Sequence, residues 1–263
     1  MFDVQVSRTQ FGWNNTRDTE LFSDQPVDDW TKNHNYYQDF DDYFGPTAVG
    51  TAGGFTLSSG GAATVTQPNM DGGVISLNAV ASTAASLQKQ GHFKIQLGAR
   101  TWFRQLISVD NVLGLVLAGM TNVTTTPFTG GQLTDGVWFS TTNAGVLSIN
   151  VAVAGVVTTL PCGVSLVGGN FATLGWYWDG GLYAPHTPNG AIIWECAPPP
   201  YGLTSGLTAN ARGSIPAPTN FPGATLLAFL SGVSPSTAAA RALQVDYWYG
   251  FKDRVNFTQT PPF

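Results

Sequence analysis

The sequence predicts an all-β fold, an antiparallel β-sandwich with an extended N-terminal arm, and three observations carry that expectation. Apolar residues recur at every second position from about residue 54 onward, the period of a half-buried strand. Thirty-one glycines, with many threonines and asparagines, punctuate these runs, and glycine reaches the positive φ of tight turns without steric cost. No stretch carries the 3.6-residue period of an amphipathic helix. Roughly twelve short runs of this kind suit one sandwich or jelly roll rather than two domains. The expected division is an arm over 1–50 and a sandwich over 51–263.

Taken in chain order, the arm comes first. Residues 1–45 hold ten aromatics, and residues 1–42 hold nine of the sixteen acids against Arg8, Arg17 and Lys32, a net −6 within a chain of net −5. Disordered solubilising tails are poor in aromatics, so the arm is expected to pack on something. Over 94–109 a strand is predicted with Ile95, Leu97, Ala99, Phe103, Ile107 and Val109 on one face, interrupted by Trp102 and Leu106. Over 145–153, Leu147, Ile149, Val151 and Val153 share a face, and Ala154-Gly155 predicts a hairpin. In GWYWDG, Trp176 and Trp178 face one way and Tyr177 the other. Residues 197–223 carry six prolines and read as a long excursion from the sandwich. The last strand, ALQVDYWYGF, places Leu243, Val245, Tyr247, Tyr249 and Phe251 on one face.

Composition excludes several functions. Charged residues are only 10% of the chain and no Lys/Arg run exists, so phosphate neutralisation has no basis and nucleic-acid binding is not expected. No apolar stretch approaches the 18 residues of a membrane span, and the N-terminus MFDVQVSRTQ lacks the pattern of a signal peptide. The Asn-x-Thr matches at Asn14, Asn122 and Asn256 are then expected to stay unmodified. Cys162 and Cys196 form no metal-binding spacing; they either pair as a disulfide or remain two buried thiols.

Candidate chemistry is sparse. The histidines are His34, His92 and His186, with no GxSxG elbow to suit a nucleophilic triad. Paired carboxylates for glycoside cleavage are missing too: beyond residue 42 no two acids stand closer than seven positions. Asp39, Asp41 and Asp42 in DFDDYF do not match a calcium loop. An acidic, aromatic docking segment is the better reading, and Asp28-Asp29-Trp30 likewise suits a partner contact or a cap. Neither a metal nor a cofactor is expected, and no enzymatic activity. Trp176, Trp178, Trp194 and Trp248 could form a sugar-stacking platform if exposed. Asp135, in TTPFTGGQLTDGVWFST, reads as a turn-former, because aspartate caps backbone N–H groups and the following glycine accepts positive φ.

The order GGVISLNA, WFRQLISVD, GLVLAGMTNVTTTPFTGGQLTDGVWFST, FATLGWYWDGG and ALQVDYWYG resembles a group of tailed-phage virion proteins with concanavalin A-like, laminin G-type jelly rolls. Gly114-Leu115, Thr126-Pro127-Phe128 and Thr134-Asp135-Gly136-Val137-Trp138-Phe139 stand at the matching places, and LGWYWDG matches that group's LGFYYDG. The likeness covers about half the chain, from roughly 70 to 180 and from 240 to 250; the arm and the proline-rich excursion depart from it. It implies a capsid decoration or cement protein on the virion exterior, made in the host cytoplasm. Its partners would be the major capsid protein and copies of itself, as a homotrimer if the site is a three-fold axis. The expected contact residues are Asp28, Asp29, Trp30, Tyr36, Tyr37, Phe40, Tyr43 and Phe44. The alternative is a glycan-binding module on a phage tail, fibre or head, stacking sugars on Trp176, Trp178 and Trp248.

Overall fold

Successive apolar side chains one residue apart cannot share a face, so each amphipathic strand needs a sheet on one side and a cover on the other. The computed structural model describes residues 33–41, 43–68, 73–89, 91, 93–112, 114–181, 190–199, 204–236 and 239–253. Among these residues are sixteen strands and no helix. They are β1 (Asn33–Gln38), β2 (Gly50–Ala52), β3 (Phe55–Ser59), β4 (Ala63–Thr66), β5 (Ile75–Ala79), β6 (Ala85–Lys89), β7 (Thr101–Val109) and β8 (Gly114–Asn122). The second half contributes β9 (Gly136–Thr141), β10 (Val146–Val153), β11 (Val156–Ser165), β12 (Phe171–Trp178), β13 (Ala191–Ala197), β14 (Ala211–Pro216), β15 (Leu227–Pro235) and β16 (Arg241–Asp253).

Two antiparallel sheets result. The first runs β14-β13-β12-β7-β16-β5-β4, with β1 also paired to β16; the second runs β11-β10-β9-β8-β15-β6-β3-β2. The core between them is rich in rings. Phe103 stacks on its cross-strand neighbour Trp176 at 5.7 Å within the first sheet, and Phe229 stacks on Trp248 at 5.9 Å across the two sheets.

Several sequence expectations hold locally. Leu147, Ile149, Val151 and Val153 all enter the inter-sheet core. Ala154 and Gly155, with φ of 48° and 82°, turn the chain from β10 into β11. Trp176 and Trp178 point into the core, while Tyr177 lies on the outer face against Trp102 at 4.9 Å.

Others are corrected. Over 94–109 only 101–109 is strand; Gly98 takes φ of 81° and its N–H donates to the Gly180 carbonyl, so 94–100 is a loop. In the last strand the alternation inverts. Val245 pairs with Ile107 and Tyr247 with Leu106, leaving Asp246 as an extra residue in a β-bulge. One inserted residue flips every later side chain. Leu243, Val245 and then Trp248 therefore face the inter-sheet core, whereas Tyr249 and Phe251 join Trp102 on the outer face. The proline-rich excursion is not all loop either, because β14 lies inside it and pairs with β13.

The arm reading changes most. From residue 33 the chain is part of the sandwich: β1 lies alongside the C-terminal half of β16, from Asn33 opposite Asp253 to Gln38 opposite Trp248. It then turns at Phe40, whose φ is 62°, and crosses the open side of the sandwich to reach β2 in the other sheet. Gln67 Nε2 donates to the Phe40 carbonyl at 2.8 Å, Val65 N–H donates to the Thr47 carbonyl at 3.1 Å, and Ala48 bridges to Thr64. Residues 39–41 and 43–49 thus act as a clasp joining the two sheets. Gly73, at φ of 74°, lies so close under the turn at Asp39 to Asp41 that a Cβ would collide with backbone.

Candidate functional site

One end of the sandwich gathers the loops β6–β7, β8–β9 and β14–β15, the residues Asp179 to Gly181 that follow β12, and the β10–β11 hairpin. Two of them, β6–β7 and β14–β15, cross from one sheet to the other and enclose an open cleft of about 530 Å³ at the seam. Lys94 to Leu97 form one wall and Thr219 to Ala224 the other. Buried Ile95 and Phe221 make an apolar floor, and Phe221 meets Trp178 edge-on at 5.1 Å. Lys252 fixes the first wall, donating from Nζ to the Lys94 carbonyl at 2.8 Å and to Gln96 Oε1 at 3.1 Å. Leu97 is 63% exposed at the rim. The sequence reading missed these cleft residues. Its one pointer was the proline-rich excursion, whose end supplies Thr219, Asn220, Phe221 and Pro222.

Asp135 lies just behind this cleft. Its Oδ1 accepts from the Ala154 N–H at 3.3 Å and its Oδ2 from Thr134 Oγ1 at 3.0 Å. Asn122 completes the arrangement: Oδ1 accepts from Thr134 and Asp135 N–H groups, and Nδ2 donates to the Gln132 carbonyl at 2.9 Å. The turn-forming reading of Asp135 is thereby borne out. This clamp folds the β8–β9 loop over the outer face of the second sheet, where Phe128 and Leu133 cover Leu117, Trp138 and Leu230. Asp179 serves a similar local purpose, accepting from the Gly181 N–H at 2.8 Å. Among the described residues no three His, Cys, Asp or Glu side chains gather where a metal ion could be held.

The expected contact residues divide. Asp28, Asp29 and Trp30 lie outside the described residues. Phe40 is fully buried, in edge contact with Trp248 at 5.2 Å, and cannot reach a partner. Tyr36 and Tyr43 are largely engaged internally: Tyr36 packs on Phe229 at 4.6 Å, and Tyr43 packs on Phe55 at 5.3 Å while its hydroxyl donates to the Pro46 carbonyl. Only Tyr37, 41% exposed, and Phe44, 77% exposed, present substantial surface. The stacking platform is also corrected: Trp176, Trp178, Trp194 and Trp248 are all buried, because the faces that bear them form the core. None can stack on a sugar.

Tyr37 stands beside an acidic corner. Its hydroxyl pKa is pushed up by burial first and then by Asp39, Asp246, Tyr247 and Asp41. Asp246, the bulge residue, is raised from an ordinary 3.8 to about 6, chiefly by burial and then by Asp39 and Asp41. A carboxyl whose folded pKa is raised binds protons more tightly folded than unfolded. Its stabilising contribution is complete below about pH 4 and is lost as pH rises through about 6. Asp246→Asn is expected to raise stability at pH 7 by about 1 kcal/mol, after allowance for partial exposure. It should also flatten the decline between pH 4 and 6; denaturant titrations across that range check both.

Cys162 and Cys196 are free and buried.

No family model and no curated protein matches the sequence. Solved structures do. A protein of unknown function from Shewanella oneidensis MR-1 aligns with a TM-score of 0.54 at 13% identity, over 88% of this chain and 90% of its own. Lectin UEA-II in complex with galactose, and lectin II from Ulex europaeus, each give 0.54 at 12% identity over 84% of this chain and 99% of their own. The carbohydrate recognition domain of Emp47p gives 0.52 at 10% identity over 85% and 98%. At such identities the shared property is architecture: this chain has the concanavalin A-like, lectin-type jelly-roll fold.

Proposed function

We propose that the chain is a non-enzymatic structural protein of a tailed-phage virion, a decoration protein that binds and stabilises the head shell. The observation that carries this reading is a charge-poor surface with large apolar side chains left in water. Phe44, Val156, Leu97, Leu226 and Val123 are all more than half exposed, in a chain with only 10% charged residues. Surfaces of this kind are suited to burial by other protein. The motif resemblance supplies the setting, and the acid-rich segment before residue 33 supplies charge to meet a basic patch on the shell.

The clasp decides how this is tested. Deletion through residue 45 would remove Phe40 and damage the fold, so the informative variant lacks residues 1–32 only. Full-length protein is expected to bind shells stripped of it, and the truncated protein to bind at least about tenfold more weakly, with a smaller salt dependence. Unchanged binding and salt response would refute the role given to the acidic segment. Failure of the full-length protein to bind any phage shell would refute decoration itself.

A second reading, glycan binding, is favoured by the seam cleft. Gln96, Thr219 and Asn220 place amide and hydroxyl groups around an apolar floor, a pairing that suits a sugar ring, and a fold relative was solved with galactose. Titrating the same preparation with galactose and oligosaccharides separates the readings. Saturable binding lost in Asn220→Ala would support the cleft; no binding would leave the shell reading alone.

A further inference from the structure

We propose that the free edge of β11, Val156 to Leu160, is the contact through which two copies of this chain pair, strand against antiparallel strand about a two-fold axis at Thr158. β11 ends the second sheet and is bonded there to β10 alone over this stretch. Val156 is 69% exposed and Val157 44%, and Thr158 and Thr159 are exposed as well. Ala154 and Gly155 turn the hairpin with positive φ at both positions, so Val153 and Val156 close it as a hydrogen-bonded pair. In an antiparallel ladder such pairs alternate. Val156, Thr158 and Leu160 therefore direct their backbone groups inward to β10, and Val157 and Thr159 direct theirs outward, away from the sheet.

Edge strands that stay unpaired are short, carry charges, prolines or bulges, or lie under another segment. The other ends of the two sheets follow that rule: β14 carries Arg212 and ends on Pro216, β4 is capped by the clasp through Thr47 and Ala48, and β2 is three residues long. The second half of β11 does too, with Pro161, a register shift against β10, and the Ser165 N–H donating to Thr208 Oγ1 at 3.0 Å. Val156 to Leu160 has none of these protections. Its pairing with β10 is continuous, and Thr159 Oγ1 donates to Asn150 Oδ1 at 2.7 Å, which holds the strand in register.

Charge and the order of side chains fix the partner as a second copy. Between Asp135 and Asp179 the sequence contains no Asp, Glu, Lys or Arg. A charged partner finds nothing to pair with here. In a two-fold contact each residue near the axis approaches its own copy, and on this edge no like charges meet. Pairing about Thr158 sets Val157 opposite Thr159 of the second copy, where the two exchange both of their outward hydrogen bonds on each side of the axis. Val156 then lies opposite Leu160 of the second copy, a half-buried side chain packed on the core, and the two Thr158 hydroxyls meet at the axis. Two eight-stranded sheets become one continuous sheet. The ladder is small beside the about 800 Å² per partner of a standard interface, so the dimer is weak and forms at high local concentration. It stands whether or not the protein decorates a shell.

The test follows full-length protein by sedimentation velocity as its concentration rises from micromolar to millimolar, where a reversible monomer–dimer equilibrium is expected. Thr158→Lys and Thr158→Glu should each weaken the dimer at least about tenfold, because like charges meet at the axis. Thr158 is exposed in the single chain, so both variants should melt within about 3 °C of the parent. Mixing the two in equal amounts should restore association, now between unlike chains, and added salt should weaken it. Val157→Pro, which removes an outward N–H that β10 does not use, should also weaken pairing at least about tenfold. A chain that stays monomeric to millimolar concentration, a dimer that Thr158→Lys leaves intact, or a mixture of the two charged variants that remains monomeric would each overturn the proposal.

Discussion

Replacing Phe40 by alanine is expected to lower the unfolding free energy by about 3–5 kcal/mol, read as a shift of the urea midpoint at unchanged slope. The ring is fully buried. It meets Trp248 edge-on at 5.2 Å, Phe55 at 6.3 Å and Tyr43 at 6.0 Å. Trp248 belongs to β16 in one sheet and Phe55 to β3 in the other. No single element can move into the vacated space, so the cavity term stays large. Alanine would also keep a positive φ at this turn, a conformation costly for any residue with a Cβ. Phe44→Ser is the control: that side chain is four positions away and 77% exposed, so the change should stay within about 0.5 kcal/mol. A loss below about 1 kcal/mol for Phe40→Ala would mean that the clasp is a surface strap and not part of the core.

Phe40 also marks where the sequence ceased to be legible. Its neighbours in the fold are residues 55 and 248, and nothing in DFDDYF encodes a pairing with a strand more than two hundred positions away. Composition alone therefore grouped residues 33–49 with the acidic segment before them. Local signals fared better. The two-residue period placed Leu147 to Val153 correctly, Ala154-Gly155 turned the hairpin, and Asp135-Gly136 opened β9, because each depends on backbone preferences within a few residues. The period misled where both faces of a strand are apolar. Trp102 and Leu106 interrupted the pattern because the outer face of the first sheet carries its own cluster, with Trp102, Tyr249 and Phe251. The bulge at Asp246 had no signature at all, and it reversed the last five positions of the strand reading. The cleft was illegible for another reason: its two walls come from loops far apart in sequence, and only the sandwich brings Gln96 and Asn220 to one seam.

Ser231→Ala is expected to cost about 2–4 kcal/mol although it removes a single oxygen. Ser231 projects from β15 into the core, where its Oγ accepts from Trp248 Nε1 at 2.7 Å and from Gln105 Nε2. The serine belongs to one sheet and both donors to the other, so the contact ties the sheets in register. Alanine would leave two buried donors without an acceptor, and each such group costs about 1–3 kcal/mol. Gln105 has no alternative at hand, since its Oε1 is already buried without a partner. Turning the amide over would let the serine hydroxyl donate to Oε1 instead, and the serine remains the shared partner in either orientation. Adding Gln105→Leu to Ser231→Ala should recover about 1 kcal/mol or more, because it removes one of the two orphaned donors and leaves only Trp248 Nε1 to satisfy. A double-mutant cycle from urea denaturation measures that coupling. Independent, additive losses would assign the cost to packing alone; a positive coupling would show that this strongly apolar core spends its few polar atoms on fixing how one sheet sits on the other.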